Sequence, residues 1–376
     1  MYTHQDTLEK LNTQLPLKEK LEYIHANISQ QFPYITRIAA ALYEASTNSI
    51  KTFIHSTKNG SPLNHYEISL DEAASLKEMF EKGVPRVVND LQIFKNGKKA
   101  HTQAINNYGY VASYTFPMYI ENSFFGFLFY NSEKTDCFDE KSLPVLDMFS
   151  HIICLSIATE LGKMKTLIAA VETAKGMANF RDDETGGHLN RMAHYAQLIA
   201  RKIADKYALS DEYIENLFLY APLHDIGKIA TPDKILFKPD KLTIKEFEVM
   251  KKHTLIGAEI IDNILDNFGS AKLSSVEILK NIALLHHETL NGSGYPYGLK
   301  KENIPIEARI IAVADIFDAL TSRRPYKEAW SHHDAINMLK SLAGVKQLDP
   351  DCVQALTSNI NDVKKIQQLF SEKNYD

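Results

Sequence analysis

The spacing of hydrophobic residues changes twice along the chain. From residue 1 to about 32, Leu8, Leu11, Leu15, Leu21, Ile24 and Ile28 recur at near-helical spacing, which predicts an amphipathic helical lead-in broken at Pro16. Between about 35 and 140 the apolar runs become short and β-rich: Ile35 to Tyr43, Ile50 to His55, and an edge segment at Val87-Val88-Asn89-Asp90. The clearest pair is Ser113 to Ile120 and Phe124 to Tyr130 around the polar turn Glu121-Asn122-Ser123, which predicts a hairpin. From about 142 to 182 the helical period returns. Ile157, Leu161, Met164, Ile168 and Val171 are spaced four, three, four, three, and the pattern continues through Ala174 and Ala178. That is a coiled-coil seam, serving either parallel dimerisation or packing of the helix on its own domain. Beyond Asp182 helical spacing dominates. Met192, Ala196, Ile199 and Ile203 form one face, Ile256, Ile260, Ile261 and Ile264 another, and Ala308 to Leu320 is apolar on most sides, as in a buried helix.

This pattern divides the chain into an α/β domain over 1–145, a linker helix over 146–182 and an all-helical domain over 183–376. A length of 376 residues suits two cores rather than one. The net charge of -5 argues against a sequence-independent grip on nucleic acid, so no DNA partner is expected, though local Lys and Arg can still hold a small phosphate ligand. Cys137, Cys154 and Cys352 have no metal-finger spacing and cannot all pair, which suits a reducing cytoplasm. The first residues lack a signal-peptide pattern, and no apolar run reaches about 18 residues, so a cytoplasmic protein without a membrane span is expected.

Candidate chemistry is concentrated between Glu184 and Asp315. Glu184, His188, His224, Asp225, His253, His286, His287 and Asp315 offer imidazole and carboxylate ligands, more than one ion needs. The set points to two or three metal ions and to metal-assisted hydrolysis. Glu184 and His188 are four apart and share a helical face, with Arg191 three residues further on. On a helix His224 and Asp225 lie about 100° apart, so both reach one ion only across the ridge between them, or the carboxylate bridges two ions. Asp315 lies in the apolar run Ile310 to Phe317, where a buried carboxylate must be paired, hydrogen-bonded or metal-bound.

In the first domain, Pro117 and the Gly126-Phe127-Leu128 step, within a hairpin flanked by helices, resemble a GAF sensor domain. From about 180 to 360 the chain resembles an HD-GYP domain of the HD phosphohydrolase superfamily. The matches are His224-Asp225-Ile226-Gly227-Lys228, Pro232-Asp233, His253, His286-His287-Glu288, Asn291-Gly292-Ser293-Gly294-Tyr295-Pro296, Asp315-Ile316-Phe317-Asp318 and Arg324-Pro325-Tyr326. Asn291 stands where an aspartate is commoner, and Ala230-Thr231 departs from the usual residues after Lys228.

The resemblance implies an antiparallel GAF-like sheet with flanking helices, a long linker helix and an all-α bundle. It implies a phosphodiesterase that opens cyclic di-GMP to pGpG or GMP by attack of a metal-bridged hydroxide, or one that acts on 3′,3′-cyclic GMP-AMP. A catalytically silent sensor of the same ligands is the rival. His188, His224, Asp225, His253, His286, His287 and Asp315 are the implied metal ligands, with Asp225 bridging and Glu184 at a third ion. The ions are iron or manganese. Lys228 is the implied catalytic cation beside Asp225. Tyr295, Arg324, Lys327 and Asp318 are the implied substrate contacts, although Tyr295 could instead brace its loop, and Asp318 and Arg191 could orient ligands or simply pair on the helix. A homodimer through the linker helix, and protein partners at the Gly294-Tyr295-Pro296 loop, complete the expectations.

Overall fold

The computed structural model describes residues 4, 6–58, 63–91, 108–177, 186–268, 275–322 and 328–371. The chain divides into two compact units, 1–163 and 164–376.

In the first unit Pro16 ends the lead-in, and helix α1 (Leu17–Gln31) starts directly after it. Proline suits that position because its missing N–H has no helical partner there in any case. The strands are β1 (Ile35–Glu44), β2 (Ser49–Thr57), β3 (Glu67–Ser69), β4 (Arg86–Val88), β5 (Ala112–Ile120) and β6 (Ser123–Ser132), with helix α2 (Ala74–Lys82) between β3 and β4. They form one antiparallel sheet in the order β3-β2-β1-β6-β5-β4, so the Val87 segment is an edge strand as expected. No element was expected between His55 and Val87, and β3 and α2 occupy that gap. The hairpin turn is one residue shorter than expected, because Ser123 already pairs with Ile120. Glu121 and Asn122 both take positive φ, 45° and 64°, and twist the chain as a two-residue hairpin requires. Gly126 is needed for close approach: a Cβ there would lie 2.1 Å from the Ala41 carbonyl oxygen on β1.

One face of this sheet, through Ile38, Leu42, Tyr114, Leu128 and Tyr130, packs into a core with Leu21, Ile24 and Ile28 of α1. The same core takes Leu146, Ile153, Cys154 and Ile157 from α3 (Leu143–Met177). The first seam residues, Ile157 and Leu161, therefore pack on their own unit, which was the second of the two uses open to that stripe. Met148 and Leu155, one heptad apart, are instead 68% and 62% exposed. The side chains of Val171 and Ala174, and the whole of Ala178, lie outside the described residues. By length and composition alone Leu143–Ala170 could cross a membrane, with a mean hydropathy of 1.4. The run-length reading passed it over because Asp147, Ser150, His151 and Glu160 interrupt the apolar positions.

The second unit is helical: α4 (Gly186–Tyr207), α5 (Asp211–Tyr220), α6 (Asp233–Leu236), α7 (Ile244–Met250), α8 (His253–Phe268), α9 (Val276–Leu285), α10 (Ile306–Thr321), α11 (His332–Gly344), α12 (Pro350–Thr357) and α13 (Ile360–Leu369). The α4 stripe of Met192, Ala196, Ile199 and Ile203 is buried, and α10 buries Ala308, Ile310, Ile311, Val313, Ala314 and Phe317. On α8 the buried line runs through Ala258, Ile261 and Leu265, and the other expected isoleucines flank it. These stripes bring the start of α4, the start of α8, the end of α9 and the middle of α10 around one centre.

Candidate metal centre

Between α5 and α6 the chain makes two 3₁₀ turns, Ala221–Leu223 and Ile226–Ala230, rather than the helix expected around His224 and Asp225. The second turn packs tightly on α8. A Cβ on Gly227 would lie 1.8 Å from the His253 carbonyl oxygen and 2.5 Å from the Gly257 nitrogen, so only glycine permits this approach. The contact sets Asp225 beside His253, a candidate ligand 28 residues further along the chain.

Two groups of possible ligands result. Asp225, His253, His286 and His287 bring one ligand atom each to within 4.8 Å of one another, and so do His188, His224 and Asp315. The Asp225 carboxylate stands between the groups. Its Oδ1 faces His253 Nε2 at 3.1 Å and His286 Nε2 at 3.5 Å, and its Oδ2 lies 3.1 Å from His224 Nε2 and 2.6 Å from Lys228 Nζ. Burial alone would raise the pKa of this carboxyl. The nearby Lys228 ammonium outweighs burial and holds it well below the ordinary range.

The tautomers follow from the outer partners. His224 Nδ1 faces the Ala221 carbonyl at 3.1 Å, His253 Nδ1 the Met250 carbonyl at 2.8 Å, and His286 Nδ1 the Ile282 carbonyl at 2.9 Å. A carbonyl only accepts, so each Nδ1 carries a proton, and in a neutral ring the lone pair of Nε2 then points inward. The buried Nε2 atoms of His253 and His286 and Oδ1 of Asp225 have no hydrogen-bond partner. Lone pairs facing a buried carboxylate oxygen repel unless a cation lies among them. Protons do not fill that place at neutral pH at His286 and His287, because burial pushes the first imidazole down and the second well down from the ordinary value. The donor set and its bare lone pairs fit metal ions.

His188 is oriented differently. Its Nδ1 donates to Asp318 Oδ2 at 2.7 Å, and Arg191 grips the same carboxylate through Nε at 2.7 Å and Nη2 at 2.9 Å. Ser322 Oγ donates to it as well. Asp318 is 0% exposed, with both oxygens engaged. The expectation of Asp318 as a substrate contact is therefore corrected. It is a buried group that fixes His188 and Arg191, the alternative already open for this pair. The fully buried carboxylate of α10 is likewise Asp318, while Asp315 is only half-buried at the centre.

The loop 291–299 covers one side. Tyr295 lays its ring on His287, with centroids 4.7 Å apart, and Lys251 approaches the same ring at 5.9 Å. The role of Glu288 was missed, although its place after His286-His287 marked it. Buried three residues past the end of α9, it accepts hydrogen bonds from the backbone N–H groups of Tyr297 at 2.7 Å and Leu299 at 2.9 Å and so holds the loop. Asn291 caps the loop from within: its Oδ1 accepts from Ser293 N, and its Nδ2 donates to the Val345 carbonyl, a donor that aspartate lacks. Glu184, Arg324 and Lys327 lie outside the described residues.

A family model described as an HD domain matches residues 175–352. The C-terminal region of the chain carries an HD domain. It is 45% identical over 192 residues to the cyclic di-GMP phosphodiesterase response regulator RpfG of Xanthomonas campestris, covering 51% of this chain and 48% of that protein. It is 38% identical over 225 residues to a 3′3′-cGAMP-specific phosphodiesterase of Vibrio cholerae, covering 58% and 41%. The matched HD region thus accounts for about half or less of each relative's length. Among solved structures, the GAF domain of an Acinetobacter phosphoenolpyruvate-protein phosphotransferase is similar at a TM-score of 0.33 and 13% identity, covering 42% of this chain and 92% of that one.

Proposed function

We propose that this protein is a metal-dependent phosphodiesterase that opens cyclic dinucleotides, with cyclic di-GMP as the first candidate and 3′,3′-cyclic GMP-AMP as the second. The observation that carries this reading is the Asp225 carboxylate set between two ligand groups whose buried lone pairs face it. A carboxylate so placed is suited to bridge two ions, His253, His286 and His287 serving one and His188, His224 and Asp315 the other. When bound, such ions activate water and neutralise phosphate oxygens. Iron or manganese suits this mixture of imidazole and carboxylate.

The protein groups have separate tasks. Asp318 and the backbone carbonyls fix the imidazole tautomers, and the wall around Asp225 keeps the ligand atoms dry. Lys228 is the counter-ion of Asp225, and a cation at that point also stabilises charge developing on a phosphate. Tyr295 braces His287 with its ring, while its hydroxyl, which makes no hydrogen bond among the described residues, is free for substrate. Arg324 and Lys327 are proposed phosphate contacts on their sequence position alone. We further infer a homodimer along α3, supported by exposed Met148 and Leu155, with the GAF-like unit regulating hydrolysis in the cytoplasm.

The test is anaerobic turnover by the purified full chain loaded with Fe(II) or Mn(II), with both cyclic dinucleotides offered in parallel. Hydrolysis of either, lost in the His224→Ala/Asp225→Ala double variant, is the expected result. A chain that holds two metals and cleaves neither would overturn the catalytic reading in favour of a silent sensor.

A further inference from the structure

The sheet face opposite the α1 and α3 core carries a cavity that has no part in the metal centre. Its volume is about 160 Å³. Ala39, Ala40 and Ala41 of β1 lie along it, and Phe129 and Leu76 add apolar wall. Two arginines also line it, Arg37 from β1 and Arg86 from β4. Arg37 is 3% exposed. Its Nη1 donates to Asn131 Oδ1 at 2.8 Å, but its Nε is buried with no hydrogen-bond partner. The Nε of Arg86 is buried and unanswered in the same way.

No Asp or Glu among the described residues lines the cavity. Among the described residues neither guanidinium is in an ion pair. Glu78, whose field reaches Arg86, is held by Lys82 at 2.5 Å. The stretches 59–62 and 92–107, outside the described residues, contain no Asp or Glu in their sequence. Burial lowers the Arg37 guanidinium to about 10, still protonated at neutral pH, so its charge remains. A buried cation without a counter-charge is strongly unfavourable, and breaking such a pair is costly in general. The planar guanidinium is suited to a carboxylate or phosphate, which it grips through two parallel hydrogen bonds.

We infer that this cavity binds a small organic anion, a carboxylate or phosphate on a compact apolar body, with Arg37 as its principal counter-charge and Arg86 as the second. The space suits a small ligand: a cavity of roughly 150 Å³ takes a benzene-sized molecule. The site needs no catalytic activity from the other unit, and its test is independent of the phosphodiesterase reading.

The experiment is calorimetric titration of the metal-loaded full chain, at constant ionic strength, with benzoate, phenyl phosphate, inorganic phosphate and the uncharged benzamide. Benzoate or phenyl phosphate is expected to saturate one site per chain, and the stronger of the two identifies the head group. Benzamide should bind roughly tenfold to a hundredfold more weakly, the factor expected for loss of a charge-assisted contact. Arg37→Gln should weaken the anion by a similar factor, and Arg86→Gln by less. Anion binding at the metals would be indifferent to both substitutions. The proposal is overturned if neither organic anion binds, if benzamide binds equally well, or if a folded Arg37→Gln chain keeps full affinity. Should Arg37→Gln fail to fold, Arg86→Gln and the charged-against-neutral comparison decide.

Discussion

Asp318 offers the sharpest test of how the metal centre is held. Its carboxylate is fully buried, pairs with Arg191 through two hydrogen bonds and accepts a hydrogen bond from His188 Nδ1. Asp318→Ala strands a buried guanidinium, and removing one partner of such a pair costs about 3–5 kcal/mol. Set against a typical total stability of about 5–15 kcal/mol, that is a large shift in the guanidinium chloride midpoint. Asp318→Asn keeps the shape and a carbonyl acceptor but loses the charge, so its stability cost should be smaller. Asp318→Ala releases His188 from its fixed orientation and Asp318→Asn weakens that hold, and groups that orient metal ligands are worth about 10–100-fold in metal affinity. The assay pairs denaturation midpoints with metal titration and steady-state kinetics. The expected outcome is weakened metal binding and lower kcat, restored in part by excess metal. Wild-type metal affinity with only a raised KM would refute the reasoning, because that is how a substrate contact behaves.

Gly227→Ala should be as damaging as loss of a ligand, although it changes none. Its new Cβ meets backbone on α8, so Asp225 is pushed from His253; circular dichroism should stay helical while metal affinity falls at least about tenfold. Glu288→Gln can accept only one of the two loop N–H groups, which should loosen the loop and lower kcat/KM by about tenfold, with little change in metal content. Tyr295→Phe keeps the ring on His287 and should preserve metal affinity, whereas Tyr295→Ala should lower it; equal metal loss in both would refute the brace. In the first unit, burial lowers the pKa of His25, which bonds Ser56 Oγ and the Ile35 carbonyl. The unfolded chain therefore binds the extra proton first. Stability contributed by neutral His25 is full above about pH 6.5 and falls as pH drops towards its folded value, and His25→Gln should flatten that part of the pH–stability curve.

Much of this was legible in the sequence because it is written in local period and residue type. The break at Pro16, the β5–β6 hairpin, the edge strand at Val87 and the apolar α10 each depend on neighbours within a few residues. The short β3 and α2 were not legible, since three-residue strands carry too little alternation to stand out. The candidate ligands were visible as residue types, because imidazole and carboxylate in such numbers are unusual among apolar helices.

Their arrangement was decided by tertiary contacts. Nothing local shows that Gly227 must touch the His253 carbonyl, that Asp225 lies between two groups of histidines, or that Asp318 rather than Asp315 is the fully buried carboxylate of its helix. Those facts come from the packing of α8, α9 and α10 around two 3₁₀ turns, and packing joins residues far apart in the chain. The stripe on α3 was equally undetermined, because a helix with an apolar face reads the same whether its partner is another chain or its own sheet. The sequence by itself determined which chemistry the chain carries and the period of most of its elements. Only the tertiary structure decided which side chains meet, which of them are dry, and that Arg37 has no acid beside it among the described residues, because burial and charge pairing depend on distance in space.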